Sequence, residues 1–146
     1  MKLLLVFNST AAAGRARRLL PGVLSALKSF ADVVVINTDG AGDATAQVAG
    51  ADLAGFDAVV AAGGDGTLFE VLNGLYQQDR ANRVPLGVIP AGTGNAFARE
   101  LGLMPGDWKK GIGLIRGGHL ATVDVGRVSD SSGSYYFLNI VGAGLP

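Results

Sequence analysis

Two glycine-rich segments hold the residues whose types and spacing can do chemistry. Gly63-Gly64-Asp65-Gly66-Thr67 follows an apolar run of strand length and precedes a helical stripe; Pro90-Ala91-Gly92-Thr93-Gly94-Asn95 repeats that arrangement further along. Glycine at a strand end lets backbone N–H groups approach phosphate oxygens, and the helix that follows adds partial positive charge. Thr67 can donate its hydroxyl to a phosphate, and Thr93 and Asn95 offer short polar groups beside glycine. Asp65 is the odd member, because a carboxylate facing bare phosphate is repelled. It makes sense if magnesium lies between them, or if it orders the loop or a substrate hydroxyl. The plainer readings are a tight turn that uses Gly and Asp for unusual dihedrals, and an Asn95 that only caps the next helix. Three glycines around one aspartate at such a junction favour a ligand site. The second loop strengthens that choice, since ligands of open parallel sheets bind at the carboxyl ends of strands. Neither loop has the Gly-Lys-[Ser/Thr] of a Walker A segment or the spacing of a dinucleotide fingerprint.

The elements that must position these loops alternate strand with helix. Strands are expected over Lys2–Phe7, Asp32–Ile36, Asp57–Ala62 and Leu86–Ile89, the first without polar alternation, as when both faces are covered. Helices are expected over Gly14–Phe30, where Pro21 kinks the helix or starts a second one, and over Ala44–Leu53 with Asp43 as cap. A further helix carries Leu68, Val71, Leu72 and Leu75, and a short one spans Ala96–Leu101. The pattern gives an α/β fold, an open and mainly parallel sheet with helices on both faces. After Gly117-Gly118 it changes to two strands, Leu120–Val128 and Ser134–Val141, joined by Ser129-Asp130-Ser131-Ser132-Gly133. Residues 1–118 are thus expected to form one α/β domain and 119–146 the start of a β-rich one. The apolar second strand wants a partner, and strand addition or swapping between copies is one way to supply it.

Composition narrows the function classes. Of 146 residues 49% are hydrophobic and 16% charged, which suits a packed domain rather than a disordered segment. Twelve basic and twelve acidic residues cancel, and the Arg15, Arg17, Arg18 group reads as a solvated helix face, so nucleic acid is not an expected partner. Without cysteine there are no disulfides, thiolate metal sites or cysteine nucleophiles. The opening apolar run ends at Phe7, short of the ~7–15 residues of a signal core, and no run approaches the ~20 residues of a membrane span. A cytoplasmic protein is expected. His119, the one histidine, suits a surface or helix-end role, Trp108 with Lys109 and Lys110 a helix start with solvated lysines, and Asp57 a strand start.

The run Val59 to Leu75, with its Gly-Gly-Asp-Gly-Thr-Leu-Phe-Glu segment from Gly63 to Glu70, resembles the first signature of the diacylglycerol kinase catalytic-domain family. That superfamily includes sphingosine and ceramide kinases and bacterial lipid kinases. Pro85 to Arg99 resembles its second signature, and Thr38 with Gly42-Asp43-Ala44 a third element. Asp124-Val125-Gly126 and Asn139 with Gly142 and Gly144 resemble the crossover into the family's second domain. The resemblance implies a phosphofructokinase-like nucleotide domain and transfer of the ATP γ-phosphate to a lipid hydroxyl at a membrane surface, with ATP and Mg2+ as cofactors. The candidate nucleotide residues are then Asn8, Thr38, Gly63, Gly64, Asp65, Gly66, Thr67, Leu68, Phe69, Glu70, Gly92, Thr93, Gly94 and Asn95. Asp65 is the one candidate catalytic residue; the general base and metal ligands are expected in the β-rich domain.

Two positions depart from the family pattern. Its first motif is commonly Asn-Pro-x-Ser-Gly-x-Gly, where this chain has Asn8-Ser9-Thr10-Ala11-Ala12-Ala13-Gly14, so Ala12 replaces a glycine. Ala96 stands where many bacterial members have aspartate. The nearest enzymatic alternative is an NAD kinase, which shares the Gly-Gly-Asp-Gly loop. An alternative of another class is a nucleotide-binding module without catalysis.

Overall fold

The central strands β1 (Lys2–Asn8) and β3 (Ala58–Gly63) are apolar on both faces because both faces are covered. The computed structural model describes residues 1–139, and in it these strands lie between β2 (Asp32–Thr38) and β4 (Leu86–Pro90). All four run parallel in the order β2-β1-β3-β4. Leu3, Leu5, Phe7, Val60 and Ala62 point to one face and pack on α1 (Arg15–Lys28) and α5 (Trp108–Gly117). Leu4, Val6, Val59 and Ala61 point to the other, where α2 (Asp43–Gly50), α3 (Asp65–Gln77) and α4 (Ala96–Glu100) cover them. A fully buried side chain of this kind contributes about 1.5–3 kcal/mol. The chain winds one way from β1 to β2 and the other way from β3 to β4. Its direction reverses between β1 and β3.

The expected α/β class is therefore the observed one, with shifts at element ends. Pro21 does not divide α1, which runs unbroken through it. Pro21 and Arg17, whose carbonyl it leaves without a helical donor, are both exposed, so water can serve that carbonyl. α2 stops at Gly50 rather than Leu53 because Ala51 turns extended, and Gln78 Nε2 takes the carbonyls of Val48, Ala49 and Ala51 at 3.0, 3.0 and 2.8 Å. Asp57 joins the start of β3 to β1: its carboxylate accepts from Lys2 N at 2.7 Å. Trp108 packs against Gly22 of α1 and belongs to the core on that face. Along the outer edge of β4 runs an apolar groove of about 670 Å³, lined by Leu86, Val88, Phe97, Leu114 and Leu120 among others.

The C-terminal hairpin is shorter than expected. β5 (Gly126–Asp130) and β6 (Gly133–Phe137) pair antiparallel around Ser131-Ser132. The first strand begins at Gly126, not Leu120, because residues before Gly126 need partners beyond Phe137, and Leu138-Asn139 bends away. The expected end at Val141 lies outside the described residues, as do Gly142 and Gly144. Asp130 closes the turn by accepting from Ser132 Oγ, Ser132 N and Gly133 N, and these bonds hold its pKa below the ordinary value. The hairpin sits on α3, where the Tyr136 ring stacks on Tyr76 with centroids 4.0 Å apart.

Gly74 sets the spacing of α3 and α2: a Cβ there would stand 2.7 Å from Val48 Cβ and 2.8 Å from the Thr45 carbonyl oxygen. Gly74→Ala should cost about 1–3 kcal/mol through overpacking, read as a lower urea midpoint with an unchanged slope.

Candidate functional site

Parallel strands end together, so the residues that follow them share one rim. Asn8 pairs in register with Thr38, and Gly63 with Pro90, which puts the three strand-end loops and Thr38 on the same side. The two glycine loops are bonded to each other. Gly63 O accepts from Ala91 N and from Gly92 N, each at 3.0 Å. Gly92 lies so near Gly64 that a Cβ on it would be 2.6 Å from Gly64 N and would overlap Gly64 Cα. Glycine is required at 92 for this approach, whatever the ligand.

Asp65 is turned toward the second loop. Its Oδ2 accepts from Ala96 N at 2.9 Å, and Oδ1 from Phe97 N at 3.3 Å and from Asn139 Nδ2 at 3.2 Å. It therefore caps α4, and Asn95 does not. Asn95 sits in the left-handed region (φ 52°) and its Nδ2 donates to Gly92 O at 2.6 Å, which shapes the loop instead. Gly94 has no room for a side chain without crowding Asp65 Oδ2, 3.0 Å from its Cβ position. Of the roles open to Asp65 from sequence, ordering a loop is the one these bonds display.

Glu70 does the same for α2. The residue before that helix is Gly42 (φ 81°), and the amides of Gly42 and Ala44 go to Glu70 Oε1 and Oε2 at 2.9 and 3.1 Å. Asp43, the expected cap, instead accepts from Gln47 Nε2 at 2.9 Å, because it is already the first helical residue. The starts of α2 and α4 are thus occupied by protein carboxylates. Among the described residues the start of α3 is not: Gly64 precedes it, no described side chain caps it, and its first-turn amides have no acceptor within the helix.

The other candidates divide by accessibility. Thr93 and Gly66 are exposed on the rim. Leu68 is buried in the core beneath α3, and its amide donates to Gly64 O at 3.1 Å. Thr67 is buried against Gly63, its Cβ 2.7 Å from the place a Gly63 side chain would take. Thr38 is buried and its hydroxyl donates to Phe7 O at 3.4 Å. Asn8 Oδ1 accepts from Thr10 N and Thr10 Oγ1 at 2.9 and 2.7 Å and so orders the first loop. In that loop Ala12 (φ 53°) and Ala13 (φ 57°) are both left-handed, the conformation for which Ala12 is the wrong residue and glycine the right one. Phe69 is 41% exposed and lines a cavity of about 280 Å³ with Asp65, Gly66, Phe137, Leu138 and Asn139.

Sequence reasoning passed over Asn73. A buried asparagine inside an apolar helical stripe must be hydrogen-bonded, and that was the available signal. Here Asn73 Oδ1 accepts from Tyr136 N, and Nδ2 donates to Tyr136 O and Phe69 O, all at 2.9 Å.

A doubly wound parallel sheet whose rim of two interlocked glycine loops lies at a reversal of winding defines an open α/β unit, a kind of fold that binds ligands at strand ends. More narrowly, the chain belongs to the diacylglycerol kinase catalytic domain family, whose model matches residues 2–128. It is 39% identical over 141 residues to a diacylglycerol kinase of Staphylococcus saprophyticus, covering 96% of this chain and 44% of that one. It is 47% identical over 104 residues to the diacylglycerol kinase of Bacillus subtilis, covering 71% and 32% respectively. A crystal structure of a diacylglycerol kinase from Bacillus anthracis strain Sterne superposes with a TM-score of 0.74 at 34% identity, over 85% of this chain and 42% of that one. The chain spans less than half the length of each of these relatives.

Two substitutions test the geometry. Asp65→Ala should lower stability by about 1–2 kcal/mol through loss of the α4 cap, with faster amide exchange at Ala96 and Phe97. Ala12→Gly should raise it by about 1 kcal/mol by relieving a left-handed alanine, seen as a higher denaturant midpoint.

Proposed function

We propose that this chain is the ATP-binding unit of a lipid kinase that transfers the ATP γ-phosphate to the hydroxyl of a diacylglycerol- or sphingosine-like lipid. The observation that carries the reading is the start of α3 at the reversal point of the sheet, which no side chain among the described residues caps, beside two helix starts that carboxylates have already taken. A phosphate is the natural occupant of such a terminus, because each bond from an N–H to a charged oxygen is worth about 1.5–3 kcal/mol. The exposed Thr93 adds a hydroxyl on the same rim.

In this reading Asp65 acts through the geometry it imposes, since its oxygens are committed to Ala96, Phe97 and Asn139. Magnesium fits best as a companion of the triphosphate, held largely by phosphate oxygens and water, as it commonly is. Residues 1–118 are the nucleotide unit, and a β-rich unit that supplies the general base begins at 119. The protein works in the cytoplasm, peripheral to the membrane that holds its acceptor; no helix among the described residues is long and apolar enough to cross one. Self-association through the hairpin would use β5, because Asn73 already holds the free edge of β6 at Tyr136.

Calorimetric titration with ATP and magnesium tests the proposal. Saturable binding is expected, weakened at least ~tenfold, or ~1.4 kcal/mol, in Gly92→Ala, whose Cβ would push the loops apart. Absence of binding, or binding of NAD in place of ATP, would count against it.

A further inference from the structure

The cavity beside Phe69, the groove along β4 and the arginines of α1 all adjoin the rim or lack anything that names an occupant. Two asparagines carry more. Asn73, 7% exposed, sits in the middle of α3 and satisfies both backbone groups of Tyr136, as a residue on a neighbouring strand would. The bond from its Nδ2 to Phe69 O anchors the same amide to its own helix. Three residues beyond Tyr136, Asn139 Nδ2 donates to Asp65 Oδ1 at 3.2 Å. Asp65 in turn holds the amides of Ala96 and Phe97, at the end of the loop that carries Thr93.

We infer that Asn73 and Asn139 are positioning residues that make docking of the β5–β6 hairpin a condition for the geometry of the glycine rim. Without Asn139, Oδ1 of Asp65 keeps only the 3.3 Å bond to Phe97 N. α4 has five residues, too few to hold its own first turn in water. The Asp65 carboxylate then turns more freely, and the loop from Gly92 to Asn95 loosens with it. Asn73 acts one step earlier, by fixing the strand that delivers Asn139. Coupling of this kind is reciprocal, so a ligand that orders the rim also tightens the hairpin on α3. The effect on nucleotide affinity rests on the proposed ATP site; the effect on the rim itself does not.

The test is amide hydrogen exchange with MgATP titration on this chain and on Asn139→Ala, Asn73→Ala and the double variant. Asn139→Ala should speed exchange at Ala96 and Phe97 and weaken MgATP binding, each about fivefold, with Tyr136 still protected. Asn73→Ala should release Tyr136 and speed Ala96 equally, and the double variant should go no further, because both changes break one chain of contacts. If Asn73→Ala unfolds the protein, Tyr136→Ala, which removes the stacking on Tyr76, takes its place with the same expected exchange at Ala96. Unchanged exchange at Ala96 in Asn139→Ala, or additive effects in the double variant, overturns the inference. The expected exchange pattern in a chain that binds no MgATP supports the coupling and removes the nucleotide reading. Binding of MgATP with unaltered exchange does the reverse.

Discussion

Gly64 and Gly92 touch backbone to backbone, and the rest of the rim depends on that contact. It exists because Gly63 O accepts two amides from the second loop, and because neither glycine brings a side chain between the strands. A methyl group at 92 has nowhere to go but into the first loop. The approach turns two ordinary strand ends into one surface. It also fixes where Asp65 starts, one residue past the contact, within reach of α4.

From there the arrangement follows a single electrostatic rule. Each helix start offers partial positive charge and unpaired amides. The fold answers two of these starts internally, with Glu70 on α2 and Asp65 on α4, and both carboxylates come from the first two turns of α3. α3 therefore turns its own acidic groups on its neighbours, and no side chain among the described residues takes its own first amides. A carboxylate turned back on α3 would compete with phosphate. Turned outward, it removes that competition and fastens the loops on either side. Asp65 and Glu70 direct their oxygens at the starts of α4 and α2 instead of at the start of α3.

The sheet and its order of elements were legible because buried parallel strands leave continuous apolar runs, such as Leu3 to Phe7, and helices leave stripes such as Leu68, Val71, Leu72 and Leu75. The glycine loops were legible for a similar reason, since glycine clusters between such elements have few other uses. The partner of each carboxylate was not. Asp65 finds its amides 31 and 32 residues away, and Glu70 finds its pair 26 and 28 residues earlier, distances no local pattern encodes. For the same reason Asp43 is the cap that local pattern suggests for α2, where Glu70 supplies it, and the plainer alternative for Asn95 is a cap that Asp65 in fact provides. The hairpin is shorter than the β-propensity from Leu120 onward suggests because its register ends at Phe137, after which Leu138 and Asn139 bend away. Of the left-handed pair Ala12-Ala13, only Ala12 left a signal, the glycine of the family pattern it replaces; alanine by itself signals helix, and only the surrounding loop makes it do otherwise.

A crystal structure with magnesium and a non-hydrolysable ATP analogue reaches the centre of this account most directly. The phosphates should lie within about 3 Å of the amides that open α3, next to Gly92 and Thr93, with Asp65 still bonded to Ala96. A nucleotide seated away from that rim, or an Asp65 swung off α4 to take the metal itself, would contradict it.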